Sequence, residues 1–167
     1  PSLEDTASIS DFTINPGYLK QTIDRTSFAM ALQDVRFYLN GMLLELTQNK
    51  IKTVSTDGHR LALCTAEIQY DTEGTTQAIV PRKGILELAR LFSDDDTDVI
   101  ITLSSNHIRA ETPGLRFTSK LVDGTFPDYN KVLPKQGDKL VVGDKGDMKQ
   151  SFSRVAILSN YKFRGIR

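Results

Sequence analysis

Apolar and polar positions along this chain alternate between a helical period and a strand period, in an order that recurs. From Pro16 onward, Leu19, Ile23, Thr26 and Met30 recur at helical spacing while Lys20, Gln21, Asp24 and Arg25 take the opposite arc, which predicts a two-faced helix. After Gln33 the period becomes strand-like. Residues 35–46 are rich in apolar and aromatic side chains, Gln48-Asn49-Lys50 can turn, and 51–56 can pair back. Asp57-Gly58 offers a second tight turn into 60–68, so three consecutive antiparallel strands are expected. A second helix is predicted from Pro81, a residue suited to a first helical turn, with Ile85, Leu88, Ala89 and Phe92 on one face and Lys83, Glu87 and Arg90 on another. Strands at 99–103, 107–111 and 115–122 follow, joined at Ser105-Asn106 and Pro113-Gly114.

The order is helix, meander, helix, meander: two similar half-units of one α+β domain, whose helices and sheets bury their apolar stripes together and leave the opposite helix faces basic and solvated. Residues 1–11 have no period and read as a connector, and 12–132 as the domain. Gly124, Pro127, Pro134 and Gly137 mark 123–138 as linker-like, with 133–138 the linker proper. Beyond it the pattern restarts with a strand-like Leu140-Val141-Val142 and a helix. Leu19-Lys20-Gln21-Thr22-Ile23-Asp24-Arg25-Thr26 is echoed 129 residues later by Met148-Lys149-Gln150-Ser151-Phe152-Ser153-Arg154-Val155. A repeat at this spacing points to a second copy of the same fold, so 139–167 read as the opening of a further domain, with Phe163 to Arg167 expected to begin a strand.

Composition bounds the chemistry. Of 167 residues 39% are apolar, enough for a core, and 21 basic against 21 acidic side chains give a formal net charge of zero. Any affinity for nucleic acid must therefore come from how the charges are distributed. The sequence holds no apolar run of membrane-spanning length and a single cysteine, Cys64, within an apolar strand, so a soluble, cytoplasmic protein is expected. His59 and His107 lie far apart without Cys or carboxylate partners at metal-ligand spacing, and Pro81-Arg82-Lys83-Gly84 lacks the glycine-rich loop of a phosphate site. No metal and no cofactor are expected.

Six blocks then resemble one family in order: Val35-Arg36-Phe37-Tyr38-Leu39-Asn40-Gly41-Met42-Leu43; Thr56-Asp57-Gly58-His59-Arg60-Leu61-Ala62; Val80-Pro81-Arg82-Lys83-Gly84; Phe117-Thr118-Ser119-Lys120-Leu121-Val122-Asp123-Gly124; Phe126-Pro127-Asp128-Tyr129; and Ala156-Ile157-Leu158-Ser159-Asn160 with Lys162-Phe163-Arg164-Gly165. Together they resemble the bacterial DNA polymerase III β subunit, the sliding clamps, from about Phe12 to the last residue. The resemblance implies a clamp fold with helices inside and sheets outside, in which 12–132 are the middle of three similar domains and 139–167 open the third. It implies a homodimeric ring around duplex DNA that tethers the polymerase and performs no catalysis.

The resemblance also implies site residues. Lys20, Arg25, Arg82, Lys83, Arg90, Lys149 and Arg154 would face the DNA, joined by Gln33, Phe37 and Tyr38 from the start of the first meander. Phosphate contacts of this kind are blind to sequence, as sliding requires. Leu39, Thr56, Gly58, His59, Arg60, Leu61, Pro127 and Val132, with Lys131 at the rim, would line a pocket for short Gln-Leu-x-Leu-Phe-type peptides of polymerases, clamp loader and repair proteins. Half of that pocket would come from the third domain. Against this stand blander readings: basic residues opposite an apolar stripe are also an ordinary solvated helix face, Phe37 and Tyr38 also suit strand packing, and a domain of this fold need not meet DNA. A different class of function, a small hydrolase or transferase, would use His59, Asp57 and Arg60.

Overall fold

The computed structural model describes residues 8–71, 74–92, 97–134, 137 and 139–159. The chain divides into two compact units, 1–127 and 128–167, a boundary that falls inside the stretch expected to be linker-like.

The first unit runs β1 (Ser8–Ile14), α1 (Pro16–Thr26), β2 (Gly41–Thr47), β3 (Lys50–Thr56), β4 (Leu61–Glu67), β5 (Thr76–Pro81), α2 (Arg82–Leu91), β6 (Val99–Ser104), β7 (His107–Thr112) and β8 (Leu115–Lys120). These form two four-stranded antiparallel sheets, ordered β1-β6-β7-β8 and β4-β3-β2-β5. Each half-unit is thus a strand, a helix and a meander, and each opening strand crosses over to pair with the other half's meander. β1 lies beside β6, and β5 beside β2. The α+β class and the two helix-plus-meander halves are as expected; the exchanged strands are new.

Periodicity missed both exchanged strands for identifiable reasons. Residues 8–11, expected to be connector, belong to β1, where Phe12 and Ile14 turn inward while Asp11 and Thr13 stay exposed; its polar composition masks a two-residue period. β5 ends on Pro81, which serves as N-cap of α2 rather than its first residue. The expected strand over 35–46 begins only at Gly41. Before it, the Leu39 amide donates to the Arg36 carbonyl (2.8 Å) and the Ala31 amide to the Leu39 carbonyl (3.0 Å), closing a lobe that ends in a 3-10 turn at Phe37–Asn40.

The core lies between the helices and the inner sheet faces. Met42, Leu44 and Leu46 of β2 and Ile51 of β3 join Leu19 and Ile23 of α1, Ile85 and Leu88 of α2, and Val99, Ile101 and Leu103 of β6. α1 lies on β3 and β4, α2 on β2, β5 and β8, and the helices touch each other. β2 is buried on its other face as well, where Leu43 stands in register with Val54 and Ile79 and Phe126 lines the same cavity as Leu43 and Ile79. This is why 41–46 read as an unbroken apolar run with Glu45 inside it. Glu45 is buried but bonded to Lys52 (2.9 Å) and to the Gln77 amide (2.7 Å), as a buried charge must be.

Beneath α1 the interior is polar. The Thr26 hydroxyl donates to the Thr22 carbonyl (2.7 Å), Thr53 of β3 donates to the same carbonyl (3.2 Å), and Ser55 donates to the Thr26 carbonyl. These bonds tie the last turn of α1 to β3, with Ser55 taking up the carbonyl of its final residue. α2 sits close to its sheet because Gly84 has no side chain: a Cβ there would stand 2.7 Å from Ser119 Oγ.

In the second unit, Asp128 caps a 3-10 turn at Tyr129–Lys131, and α3 spans Lys145–Ala156. No residue of α3 is buried. Leu140-Val141-Val142, expected to be strand-like, form no strand and are more than four-fifths exposed, having no neighbouring strand among the described residues. The strand expected from Phe163 lies outside the described residues.

Candidate functional site

The Thr56–Leu61 connection is held by its own side chains. Thr56 Oγ1 accepts from the Gly58 amide (3.0 Å) and donates to the Arg60 carbonyl (2.7 Å). Asp57 Oδ1 accepts from the amides of His59 (3.0 Å) and Arg60 (3.1 Å), and its Oδ2 from Arg60 Nε (3.1 Å). Burial pushes the Asp57 carboxyl up, but the two amides and the Arg60 guanidinium outweigh it and hold the group below its usual range. Gly58, at φ 87°, supplies the left-handed residue the turn needs. Arg60 also donates from Nη2 to the Phe28 carbonyl (2.8 Å) and lies over the Phe28 ring, 5.6 Å from its centroid.

This geometry removes the hydrolase or transferase alternative. The Asp57 carboxylate accepts from backbone amides and Arg60, so it does not orient the His59 ring as a triad would require. Cys64 lies three residues along β4 from Leu61, about 10 Å at strand rise. Among the described residues, no group of three or more His, Cys, Asp or Glu is placed to hold a metal ion. No helix among them is long and apolar enough to cross a membrane.

Beside the hairpin stands the 31–40 lobe. Asp34 anchors it: its amide donates to Asn40 Oδ1 (2.9 Å), its carbonyl accepts from Asn40 Nδ2 (2.9 Å), and its carboxylate receives Arg36 Nε (3.0 Å) and Nη2 (2.8 Å). The Arg36 fork, helped by the Arg36 amide, holds the Asp34 carboxyl down at about 2. Gln33, at φ 58°, turns the chain at the lobe's edge. Phe37 and Tyr38 meet edge to face at 6.1 Å, and both rings lie against Gly124. Phe37 remains largely exposed, so its ring is not consumed by strand packing.

Of the expected pocket residues, 56–61 are contiguous in the hairpin, and Leu39 is buried in the lobe. Pro127 is exposed at the end of the first unit, and Val132, with Lys131 beside it, is exposed in the second. Of the expected DNA-facing residues, Arg25 and Lys83 are exposed on α1 and α2 and have no ion pair among the described residues, as do Lys149 and Arg154 on α3. Lys20 is paired with Asp24 (2.6 Å) and Arg90 with Glu87 (2.6 Å), both exposed pairs of small energetic consequence. The two expected sets also meet: Gln33 and Arg82 line one open cavity of about 430 Å³ with His59, Arg60 and Phe28. Sequence reasoning missed Phe28, Asp34 and Arg36. The Asp34-x-Arg36 spacing, followed by Asn40, was the available signal for the lobe.

A family model described as DNA polymerase III beta subunit, central domain, matches residues 13–128. The beta sliding clamp of Pseudomonas aeruginosa is 57% identical over 167 residues, all of this chain and 46% of that protein. That of Escherichia coli K12 is 48% identical over 167 residues, 100% of this chain and 45% of that protein. The crystal structure of the Pseudomonas aeruginosa sliding clamp bound to griselimycin superposes with a TM-score of 0.92 at 56% identity, covering 98% of this chain and 44% of that one. The chain spans about half the length of the curated relatives it matches. With the exchanged-strand fold and the side-chain-locked hairpin, these findings show that the chain belongs to the DNA polymerase III beta subunit family, matching its central domain.

Proposed function

We propose that this chain serves as part of a DNA sliding clamp: a non-catalytic processivity factor that, as a homodimeric ring in the cytoplasm, encircles duplex DNA and tethers the replicative polymerase. In this reading 12–132 form the middle domain and 139–167 open the third. α1, α2 and α3 turn Lys20, Arg25, Arg82, Lys83, Arg90, Lys149 and Arg154 toward the DNA, with Gln33, Phe37 and Tyr38 approaching from the lobe. Leu39, Thr56, Gly58, His59, Arg60, Leu61, Pro127 and Val132 take a short linear peptide from polymerases, clamp loader or repair proteins.

The observation that carries the reading is the hairpin. Its polar groups are spent on holding a turn rigid, leaving the flanking apolar groups to receive a ligand; a preordered receptor loses little entropy on binding. The ligand-bound relative supports the presence of a binding site somewhere on such a clamp. Calorimetric titration of the full-length subunit carrying this sequence with a Gln-Leu-x-Leu-Phe peptide tests it: saturable binding, one peptide per subunit, that Leu61→Asp abolishes is expected, and an intact fold without any binding overturns the pocket.

A further inference from the structure

We infer that Arg36 is a positioning residue for both proposed sites: it fixes the 31–40 lobe, which carries Gln33 and Phe37, onto the Gly58 turn of the hairpin, so that a peptide seated there alters the lobe. This rests on the peptide and DNA reading above. Three observations carry it. First, the Arg36 guanidinium lies directly over Gly58: a Cβ at that glycine would stand 3.1 and 3.2 Å from its Nη2 and Nη1. Nothing larger than hydrogen separates the hairpin's apex from the arginine. Second, the same guanidinium grips both carboxylate oxygens of Asp34, whose backbone is bracketed by Asn40. Displacement of Arg36 is therefore handed to the lobe's backbone rather than absorbed by one side chain, because a planar fork on a carboxylate fixes orientation as well as distance. Third, the lobe is tied to Leu39, itself a proposed pocket residue, through Arg36 O and Ala31 N.

Arg60 ties the hairpin to a different segment, the turn that follows α1. It joins Asp57 of the hairpin to the Phe28 carbonyl just past α1, and it borders the cavity shared with Gln33 and Arg82. Yet Arg36 is half exposed, so it can swing away from Gly58 without a buried charge being stranded. A peptide on the hairpin competes for the surface that Arg36 covers. The lobe then has two arrangements, with Arg36 seated or displaced, and both ligands bias that equilibrium; any such coupling is reciprocal.

The test is titration of the 15N-labelled full-length subunit carrying this sequence to saturation with a Gln-Leu-x-Leu-Phe peptide, in the parent protein, Arg36→Met and Arg36→Lys. Amide resonances of 56–61 are expected to move in all three. Those of Gln33 and Val35 are expected to move in the parent and to lose most of that movement in Arg36→Met. Arg36→Lys keeps the charge but not the fork, and is expected to behave like Arg36→Met. Undiminished movement at Gln33 and Val35 in either variant overturns the inference. Movement of the hairpin alone in the parent overturns the inference and leaves the peptide pocket standing, whereas a hairpin that never moves overturns the pocket and the inference together. If Arg36→Met disturbs the rest of the spectrum, Asp34→Asn, which removes the other half of the fork, carries the same expectation.

Discussion

α1 and α3 are built from one pattern and end in opposite circumstances. Their caps match: Asn15 and Asp144 share φ −63° and ψ 131°, and each side chain accepts from a glycine amide two residues on, at 2.9 and 2.7 Å. Their repeated octets keep apolar, basic and hydroxyl positions in order. Yet Leu19 and Ile23 are 3% and 1% exposed, while their counterparts Met148 and Phe152 are 36% and 53% exposed. A cap and a period are sufficient to start a helix; burial requires sheets arranged to receive it. α1 has β3 and β4, whose Thr53 and Ser55 reach its carbonyls, and α3 has no such partner among the described residues.

Truncating matched positions should separate the two helices most strongly. Ile23→Ala is expected to destabilise the first unit by about 2–5 kcal/mol, whereas Phe152→Ala should fall within about 0.5 kcal/mol. Urea unfolding followed by tryptophan-independent circular dichroism reads both, and equal losses would dissolve the distinction. Smaller, and differently distributed, are the caps. Asn15→Ala should cost about 1 kcal/mol of global stability, while Asp144→Ala should fray α3 with no shift in the main transition, as resolved by amide exchange.

The smallest effect comes from pH. The Asp34 carboxyl titrates at about 2 in the folded chain against 3.8 for the free side chain. A depressed folded value means that the Arg36 fork contributes fully above pH 3.8 and is lost as pH falls toward about 2. The Arg36 side-chain Nε–H resonance should broaden and shift through that window. Persistence of the Arg36 signal in Asp34→Asn at neutral pH would show that the carboxylate is not what holds it.

Much of the fold was legible because its signals are local. The periods of α1 and α2, the turns at Asp57-Gly58 and Pro113-Gly114, and both meanders follow from residues near in sequence. The strand exchange was not legible, since nothing within 8–14 names β6 as its partner and nothing within 76–81 names β2; both pairings join residues far apart in sequence. At the site, the motif around 56–61 located the hairpin, but its stiffness depends on Asp57 choosing backbone amides over His59, a choice invisible in the letters. Likewise nothing in the sequence around Arg36 signals its reach to Gly58, which crosses more than twenty residues. The repeat at 148–155 was read correctly as helix, while its burial depends on tertiary partners that a local pattern does not encode.

The proposed clamp role is topological: a ring built from subunits carrying this sequence would hold DNA by enclosing it. The most direct measurement is retention of such full-length clamps, loaded on a nicked circular duplex, before and after the circle is cut once. Retention on the circle is expected at salt concentrations that screen phosphate contacts, and rapid loss once ends appear. Equal retention on circular and linear DNA, or equal elution by salt from both, would contradict it.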